Sequence, residues 1–197
     1  MLAILAMLHA MAGTGGPVTR VFTSGTNFND VAPAGVTTVT ITVDGPGGAG
    51  AMDIIGSTPG GGAGGARCSR TIAVTPGQTL TCTVAPAVPG RNTNGYGQTG
   101  VASTVAGTVS GGVVNMSAGP GTGGGPSVPG VGGNATGGTS NIAGSAGSIP
   151  DGGAGASGAA GGTFGTPAGA APGGGGLGKD GGTSGPGARG QITLDYF

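Results

Sequence analysis

Few residues in this 197-residue chain have the type and spacing that acid–base or metal chemistry requires. The single histidine, His9, lies within an apolar run, so a Ser-His-Asp triad has only one base, badly placed. Two cysteines and one histidine without metal-like clustering do not predict a zinc site. The six Asp residues are scattered rather than gathered in a calcium-binding loop. We therefore expect a protein that is not an enzyme and that uses no cofactor or metal.

Two glycine-rich stretches come close to nucleotide-binding motifs. Residues 45–50 match G-x-G-x-x-G after a predicted strand, but that fingerprint needs a helix that begins at the glycines. The prolines and glycines that follow break such a helix. Residues 173–180 approach a phosphate-binding loop, with Asp180 where Ser or Thr should bind magnesium. Neither stretch predicts a nucleotide site.

The composition points to a structural or assembly protein. Glycine (53) and proline (14) make up about a third of the chain, a level typical of low-complexity sequence. Large apolar residues are too few for one conventional core over the whole chain, so the core must be concentrated. The formal charge is zero, and like charges do not cluster, so we expect no binding to nucleic acid. Such a chain must satisfy its backbone hydrogen bonds through neighbouring backbone.

The first sixteen residues are predicted to be an apolar anchor that packs on a partner. Residues 1–12 are continuously apolar but too short to span a bilayer, so we expect no membrane span. No Lys or Arg precedes them, as a secretion signal normally requires; a secretion signal and a cloning artefact remain alternatives. The candidate anchor residues are the large apolar ones: Leu2, Ile4, Leu5, Met7, Leu8 and Met11.

Alternating residues predict a mainly β fold, with a small β-sandwich or jelly-roll-like base formed by residues 17–87. The clearest strand is residues 38–43, where apolar Val and Ile alternate with Thr. Residues 67–74 and 79–84 flank Thr-Pro-Gly-Gln, which predicts a hairpin. A glycine-rich loop (45–65) interrupts the base, and residues 191–197 supply a final strand that completes it.

Residues 88–190 form a glycine-rich region that admits three interpretations. It has no Gly-X-Y period, which excludes a collagen triple helix. The first interpretation is a bundle of polyproline II or polyglycine II helices, with three residues per turn, whose glycines let backbones approach and bond one another. The second is a set of irregular ordered loops on a β scaffold, and the third is a set of arms that span subunits.

The pairing of the two cysteines stays open at this stage. In the predicted hairpin, Thr71 or Ile72 lies near Cys82, and Cys68 points to the opposite face. A disulfide between Cys68 and Cys82 would therefore need a bulge.

Five segments of the β framework follow one another in a recognisable order: FTSGT (22–26), VAPAGVTTVTI (31–41), the glycine-rich residues 45–50, TIAVTPGQTL (71–80) and GQITL (190–194). In this order they resemble the glycine-rich domain that recurs in bacteriophage tail proteins, including minor tail and receptor-binding components. The tract at residues 85–90 departs from that pattern, and residues 1–12 fall outside it.

The resemblance implies a non-enzymatic structural component of a phage virion, a minor tail or tail-tip protein with a role in host-receptor binding. We expect a homo-oligomer, a trimer, that contacts other virion tail proteins and is extracellular when assembled. A capsid decoration protein or head fibre is the first alternative. A secreted cell-surface or ice-binding protein, with a Cys68–Cys82 bridge, is the second. The candidate receptor contacts, expected near the tips of glycine-rich loops, are Asn92, Asn94, Tyr96, Asn134 and Phe164.

Overall fold

The computed structural model describes residues 16–53 and 56–197, and this part of the chain contains strands and no helix. The mainly β prediction is therefore confirmed. The candidate anchor residues and His9 lie outside the described residues. The strands are β1 (Val18–Phe22), β2 (Phe28–Val31), β3 (Thr38–Asp44), β4 (Met52–Asp53), β5 (Arg67–Ala73), β6 (Thr79–Thr83), β7 (Ser103–Val109), β8 (Gly112–Ala118), β9 (Ala135–Thr136), β10 (Ser140–Ile142), β11 (Lys179–Asp180) and β12 (Gln191–Tyr196).

Two antiparallel five-stranded sheets form a sandwich, which we call the base. One sheet has the order β1-β12-β3-β5-β10, and the other has the order β2-β6-β7-β8-β9. Alternate residues of the longer strands, such as β3, β8 and β12, face the partner sheet, as the period of two requires. Side chains from both sheets meet in one core: Val39, Ile41, Val43, Cys68, Ile72, Ile192, Leu194 and Tyr196 from the first, and Leu80, Cys82, Val105, Val109, Val114, Met116 and Ala118 from the second.

The central pair of the first sheet is the part that the sequence pattern predicts best. Both the alternating segment 38–43 and the final segment 191–196 are strands, which confirms these two predictions. They pair antiparallel, with Leu194 opposite Ile41. Because both side chains are fully buried, this pair lies at the centre of the core.

The predicted hairpin at residues 67–84 is wrong. β5 pairs with β3 and β10 in one sheet, whereas β6 pairs with β2 and β7 in the other. The turn at residues 75–78 instead carries the chain across the core from sheet to sheet. Each strand has a buried apolar face, such as Ile72 on β5 and Leu80 on β6. Both faces lie in the core that the two sheets share, where β5 packs against β8 of the second sheet.

The glycine-rich region contains strands that the sequence analysis did not predict. β7 and β8 form a hairpin with Val109 opposite Gly112, and they supply the middle of the second sheet. The short strands β9 and β10 extend the edges of the two sheets. The base therefore draws on residues 103–118 and 135–142 as well as on residues 17–87 and 191–197.

The remaining glycine-rich residues form a bundle that stands on one end of the base. Strands β3 and β8 run directly into it, and β5 and β12 follow directly from it. Hydrogen bonds define passes that alternate in direction, away from the base and back: 45–51, 60–66, 85–91, 95–98, 119–125, 130–134, 144–148, 151–156, 159–162, 167–170, 173–178 and 184–190.

The pass at residues 60–66 shows how the bundle is held together. Successive N–H groups of this pass point to three neighbouring passes in rotation. Residues 60, 63 and 66 donate to pass 119–125, and residues 61 and 64 donate to pass 144–148. Residues 62 and 65 donate to pass 173–178. Its carbonyls accept by the same rule from three other passes: 45–51, 130–134 and 151–156. A strand in a sheet has two neighbours, whereas this pass has six. The spacing of three residues is that of extended helices with three residues per turn, which favours the first of the three interpretations.

Close approach of the passes explains why glycine dominates them. A Cβ atom built on Gly62 would overlap the carbonyl of Gly48, and one on Gly64 would overlap the carbonyl of Ala154. Alanine is accepted where a methyl group finds room, as at the fully buried Ala49 and Ala63. The bundle is thus packed backbone against backbone.

Candidate functional site

The bundle ends in a cluster of turns, which we call the loop end, on the side away from the base. A pass of seven residues at 3.1 Å per residue is about 20 Å long, so the loop end stands about that far from the sheets. Charged, aromatic and large apolar side chains reappear there between glycine-rich passes. The loop end consists of residues 52–53, 56–59, 92–94, 126–129, 149–150, 163–166 and 179–183 with the adjoining first residues of the returning passes.

Four of the five candidate receptor contacts lie at the loop end. Asn92 and Asn94 are in one turn, Tyr96 follows it, and Phe164 is in another. All four side chains are exposed, Tyr96 to 68% and Phe164 to 87%. Asn134 is the exception, and the expected tip position is wrong for it. It precedes β9 and its carbonyl accepts a hydrogen bond from Gly119, which places it at the base.

Backbone contacts fix Tyr96 in place. Gly95 and Met52 exchange backbone hydrogen bonds of 2.9 and 3.1 Å. The Tyr96 ring lies against Gly125, where an added Cβ atom would come within 2.6 Å of a ring carbon. Gly125 thus leaves room for the aromatic ring of Tyr96, which stays largely exposed.

A cavity of about 260 Å³ lies at the loop end beside Phe164. Its apolar wall is formed by Pro59, Pro150 and Leu177, and Leu177 is only 2% exposed. Lys179 and Asp180 line its exposed side. Sequence analysis found Phe164 but missed the other lining residues. Leu177 could have indicated the cavity from the sequence, because it is the only large apolar residue in pass 173–178.

Side-chain hydrogen bonds from Ser184 join passes close to the loop end. Its buried hydroxyl donates to the carbonyl of Gly50 at 2.7 Å and accepts from the N–H of Arg91 at 2.8 Å. Three passes are thereby tied together by one side chain. A buried hydroxyl that is satisfied on both sides fixes geometry and leaves no free group for chemistry.

The buried acidic groups of the base are engaged in structural contacts. Asp30 accepts hydrogen bonds of 2.7 Å from the Tyr196 hydroxyl and from Arg20. Burial and the hydrogen bond to Asp30 raise the pKa of Tyr196 above its usual range. Asp44 forms a two-pronged ion pair with Arg67, at 2.7 and 3.0 Å. Within the described ranges, no group of three or more His, Cys, Asp or Glu side chains could hold a metal ion.

The two cysteines are free thiols that face the core from different sheets. Burial, with a smaller contribution from nearby Asp44, raises the pKa of Cys68 to about 11. Burial and the charge of Asp30 raise the pKa of Cys82 to about 12. Because the thiolate is the reactive form, burial and these raised pKa values disfavour nucleophilic chemistry at either cysteine.

The start and the end of the described chain meet at the pole opposite the loop end. Val18 pairs with Tyr196, and Thr37 donates a 2.7 Å hydrogen bond to the carbonyl of Phe197. Strand β12 leaves the bundle at residue 191, so these contacts lie at the far end of the base. The described chain therefore begins at the pole of the base that is away from the loop end.

The described residues contain no helix that could cross a membrane. The chain matches no family model and no curated protein.

Proposed function

We propose that the protein is a non-enzymatic structural component of a phage particle, a minor tail or tail-tip protein that presents the loop end to a host receptor. In this proposal the base attaches to the rest of the tail, and the apolar residues 1–12 contribute to that attachment. The bundle then acts as a stiff spacer. In the assembled particle the protein is a homo-oligomer, a trimer.

The observation that carries the proposal is the separation of the two poles. Exposed side chains that differ in chemistry, among them Asn92, Tyr96 and Phe164, lie at one pole. The first strand of the described chain begins at the other pole, where Val18 pairs with Tyr196. Binding residues in many proteins lie on loops that a rigid scaffold positions, and the bundle has that form.

The alternatives differ from this proposal in where the molecule is attached and in what it meets. A capsid decoration protein or head fibre would also attach to the particle at one pole and expose side chains at the other. The secreted or ice-binding alternative included a Cys68–Cys82 bridge, and both cysteines are free. This weighs against that alternative. We carry forward the tail hypothesis rather than the capsid alternative because the β segments resemble a domain of phage tail proteins.

Fractionated particles provide the test. Virions produced from the genome that encodes this chain are separated into heads and tails, and each fraction is analysed by mass spectrometry. Immunogold labelling with an antibody against residues 91–97 then locates the loop end. We expect the chain in the tail fraction, with gold at the tip. Gold on the head would support the decoration alternative, and absence of the chain from virions would overturn the proposal.

A second measurement examines receptor binding. The purified protein is added to host cells before infection, and phage adsorption is measured. We expect the wild-type protein to slow adsorption and the double variant Tyr96→Ala, Phe164→Ala to slow it less. The matched control is Val113→Ala, which truncates an exposed side chain on β8 of the base rather than at the loop end. Equal inhibition by all three proteins would remove the receptor role from the loop end.

A further inference from the structure

The cavity at the loop end combines a deep apolar wall with an uncovered aromatic ring. Pro59, Pro150 and Leu177 offer carbon surface and no side-chain hydrogen-bonding group. A ligand hydroxyl pushed against them would lose its bonds to water without a partner, which is unfavourable. The wall therefore selects an apolar group.

The volume of the cavity limits the size of that group. Pockets for drug-sized ligands typically enclose about 300–1,000 Å³. At about 260 Å³ this cavity is smaller than that range. It suits one large side chain, aromatic or branched aliphatic, rather than an extended ligand. Phe164, 87% exposed, would bury one ring face when such a side chain enters.

The charges at the rim exclude an ionic ligand as the main partner. Lys179 and Asp180 are adjacent, exposed and of opposite sign, so together they favour neither anions nor cations. A phosphate group or an acidic sugar would meet a carboxylate beside the ammonium group. Both groups are well placed to meet the polar backbone on either side of an inserted side chain.

The cavity is held by the bundle. The Leu177 N–H donates to the Pro167 carbonyl at 2.9 Å, and the Gly178 N–H donates to the Pro150 carbonyl at 2.8 Å. The Lys179 N–H donates to the Ala51 carbonyl at 3.0 Å. Three passes or turns thus fix the lining before any ligand arrives, which reduces the ordering cost of binding.

From these observations we infer that the cavity is a socket for one large apolar side chain on an exposed loop of a cell-surface protein. The inference rests on the proposed receptor role, and it specifies the chemistry of the receptor. The recognised group is a Trp, Phe, Leu or Ile side chain whose neighbouring backbone meets Lys179 and Asp180.

The test uses small probes and the full chain. N-acetyl-tryptophan amide and N-acetyl-leucine amide represent the apolar side chain, N-acetyl-serine amide is the polar control, and methyl glucoside represents a neutral sugar. Binding is followed by saturation-transfer NMR and by shifts of the protein signals. We expect the two apolar amides to bind saturably and to shift Phe164 and Lys179, and the other two probes not to bind.

Two variants locate the site. Phe164→Ala should weaken binding about fivefold or more, because it removes the aromatic wall. Thr58→Trp should abolish binding, because a large ring at the exposed Thr58 would occupy the cavity. Val113→Ala is the control: it truncates an exposed apolar side chain on β8 of the base, outside the cavity, and it should leave probe binding unchanged. Circular dichroism checks that each variant keeps the wild-type fold.

The outcomes separate the socket from the proposed function. Binding of methyl glucoside but not of the amides, or amide binding that survives Thr58→Trp, would overturn the socket. If the apolar amides bind as expected while the protein is absent from virions, the socket stands and the phage proposal fails. If the protein blocks adsorption while the amides show no binding, the phage proposal stands and the socket fails.

Discussion

The base and the bundle are stabilised by opposite means. In the base, strands carry side chains such as Ile41, Leu194 and Met116 into a shared core, and only two glycines occur in the strands of its sheets. In the bundle, glycine removes the side chains and the backbones bond one another directly. The base depends on apolar area removed from water, whereas the bundle depends on satisfied backbone hydrogen bonds at close range.

This contrast predicts opposite responses to mutation. Removing carbon atoms from the base creates cavities, so truncation is the damaging change there. Adding one carbon atom to the bundle forces two backbones apart, so addition is the damaging change there. The two regions therefore form a pair for experiments, in which removal of side-chain atoms tests the base and addition of a methyl group tests the bundle.

The largest effect is expected from Gly62→Ala. The new methyl group would overlap the carbonyl of Gly48, and relief requires separation of two passes that are held by several buried hydrogen bonds. We expect a loss of at least about 4 kcal/mol in the free energy of unfolding, because overpacking and broken hydrogen bonds add. Amide hydrogen exchange should show the loss of protection first in residues 60–66.

Gly165→Ala is the matched control for this prediction. Gly165 lies in a turn of the loop end, and an added Cβ atom there meets no atom within 4 Å. We expect a change within about 0.5 kcal/mol, with a small gain from the reduced entropy of the unfolded chain. Equal stability of Gly62→Ala and Gly165→Ala would refute close backbone packing in the bundle.

Leu194→Ala should produce the next largest effect. Leu194 is fully buried opposite Ile41, so its truncation leaves a cavity in the centre of the base. We expect a loss of about 3 kcal/mol, measured by urea unfolding. The control is Val21→Ala on β1, whose half-exposed side chain should contribute less than about 0.5 kcal/mol. A comparable loss in both variants would argue against the sandwich core.

The sequence pattern predicts strands of the base where apolar and polar residues alternate regularly. It does not predict which strands pair when the partners are far apart in the chain. The alternation of apolar and polar residues predicted β3 and β12 correctly, because a half-buried strand has a signature within its own residues. The error at residues 67–84 arose because a Pro-Gly turn signals a reversal of the chain without showing which sheet receives the next strand. β7 lacks large side chains at several positions, so its place at the centre of a sheet was hidden.

The loop end was predictable only in part. Exposed residues within glycine tracts, such as Tyr96 and Phe164, indicated tips, and those two positions lie at the loop end. Asn134 has the same sequence surroundings but lies at the base, because a pass returns there before β9. Whether a glycine tract runs away from the base or back to it depends on how many passes precede it. The cavity lining depends on which turns lie next to Leu177. Neither is encoded locally.

Alkaline pH should destabilise the base by way of its thiols. Both cysteines have a pKa raised above the ordinary value of 9.0, to about 11 for Cys68 and about 12 for Cys82. The unfolded chain therefore loses these protons at lower pH than the folded chain does, and unfolding is favoured as pH rises. The stabilising contribution is complete below pH 9 and declines between about pH 9 and about pH 12.

The measurement is urea unfolding between pH 7 and pH 10.5 under reducing conditions. The control is the double variant Cys68→Ala, Cys82→Ala, which should show a shallower decline above pH 9, although its stability at pH 7 is lower. Thiol labelling at pH 8 should be slow in the native protein and fast in urea. Parallel pH profiles for the two proteins would show that the thiols do not account for the decline.

The smallest effect on stability is expected where we place the binding function. Phe164 and Tyr96 are largely exposed, so Phe164→Ala and Tyr96→Ala should each change the free energy of unfolding by less than about 0.5 kcal/mol. Their effects should appear instead in phage adsorption for both, and in binding of the apolar amide probes for Phe164 alone. Buried residues of the base and the bundle determine stability, whereas under our proposal the exposed loop-end residues contribute to recognition. A loss of more than about 2 kcal/mol in either variant would mean that its ring supports the bundle, and would move that residue from the recognition surface to the scaffold.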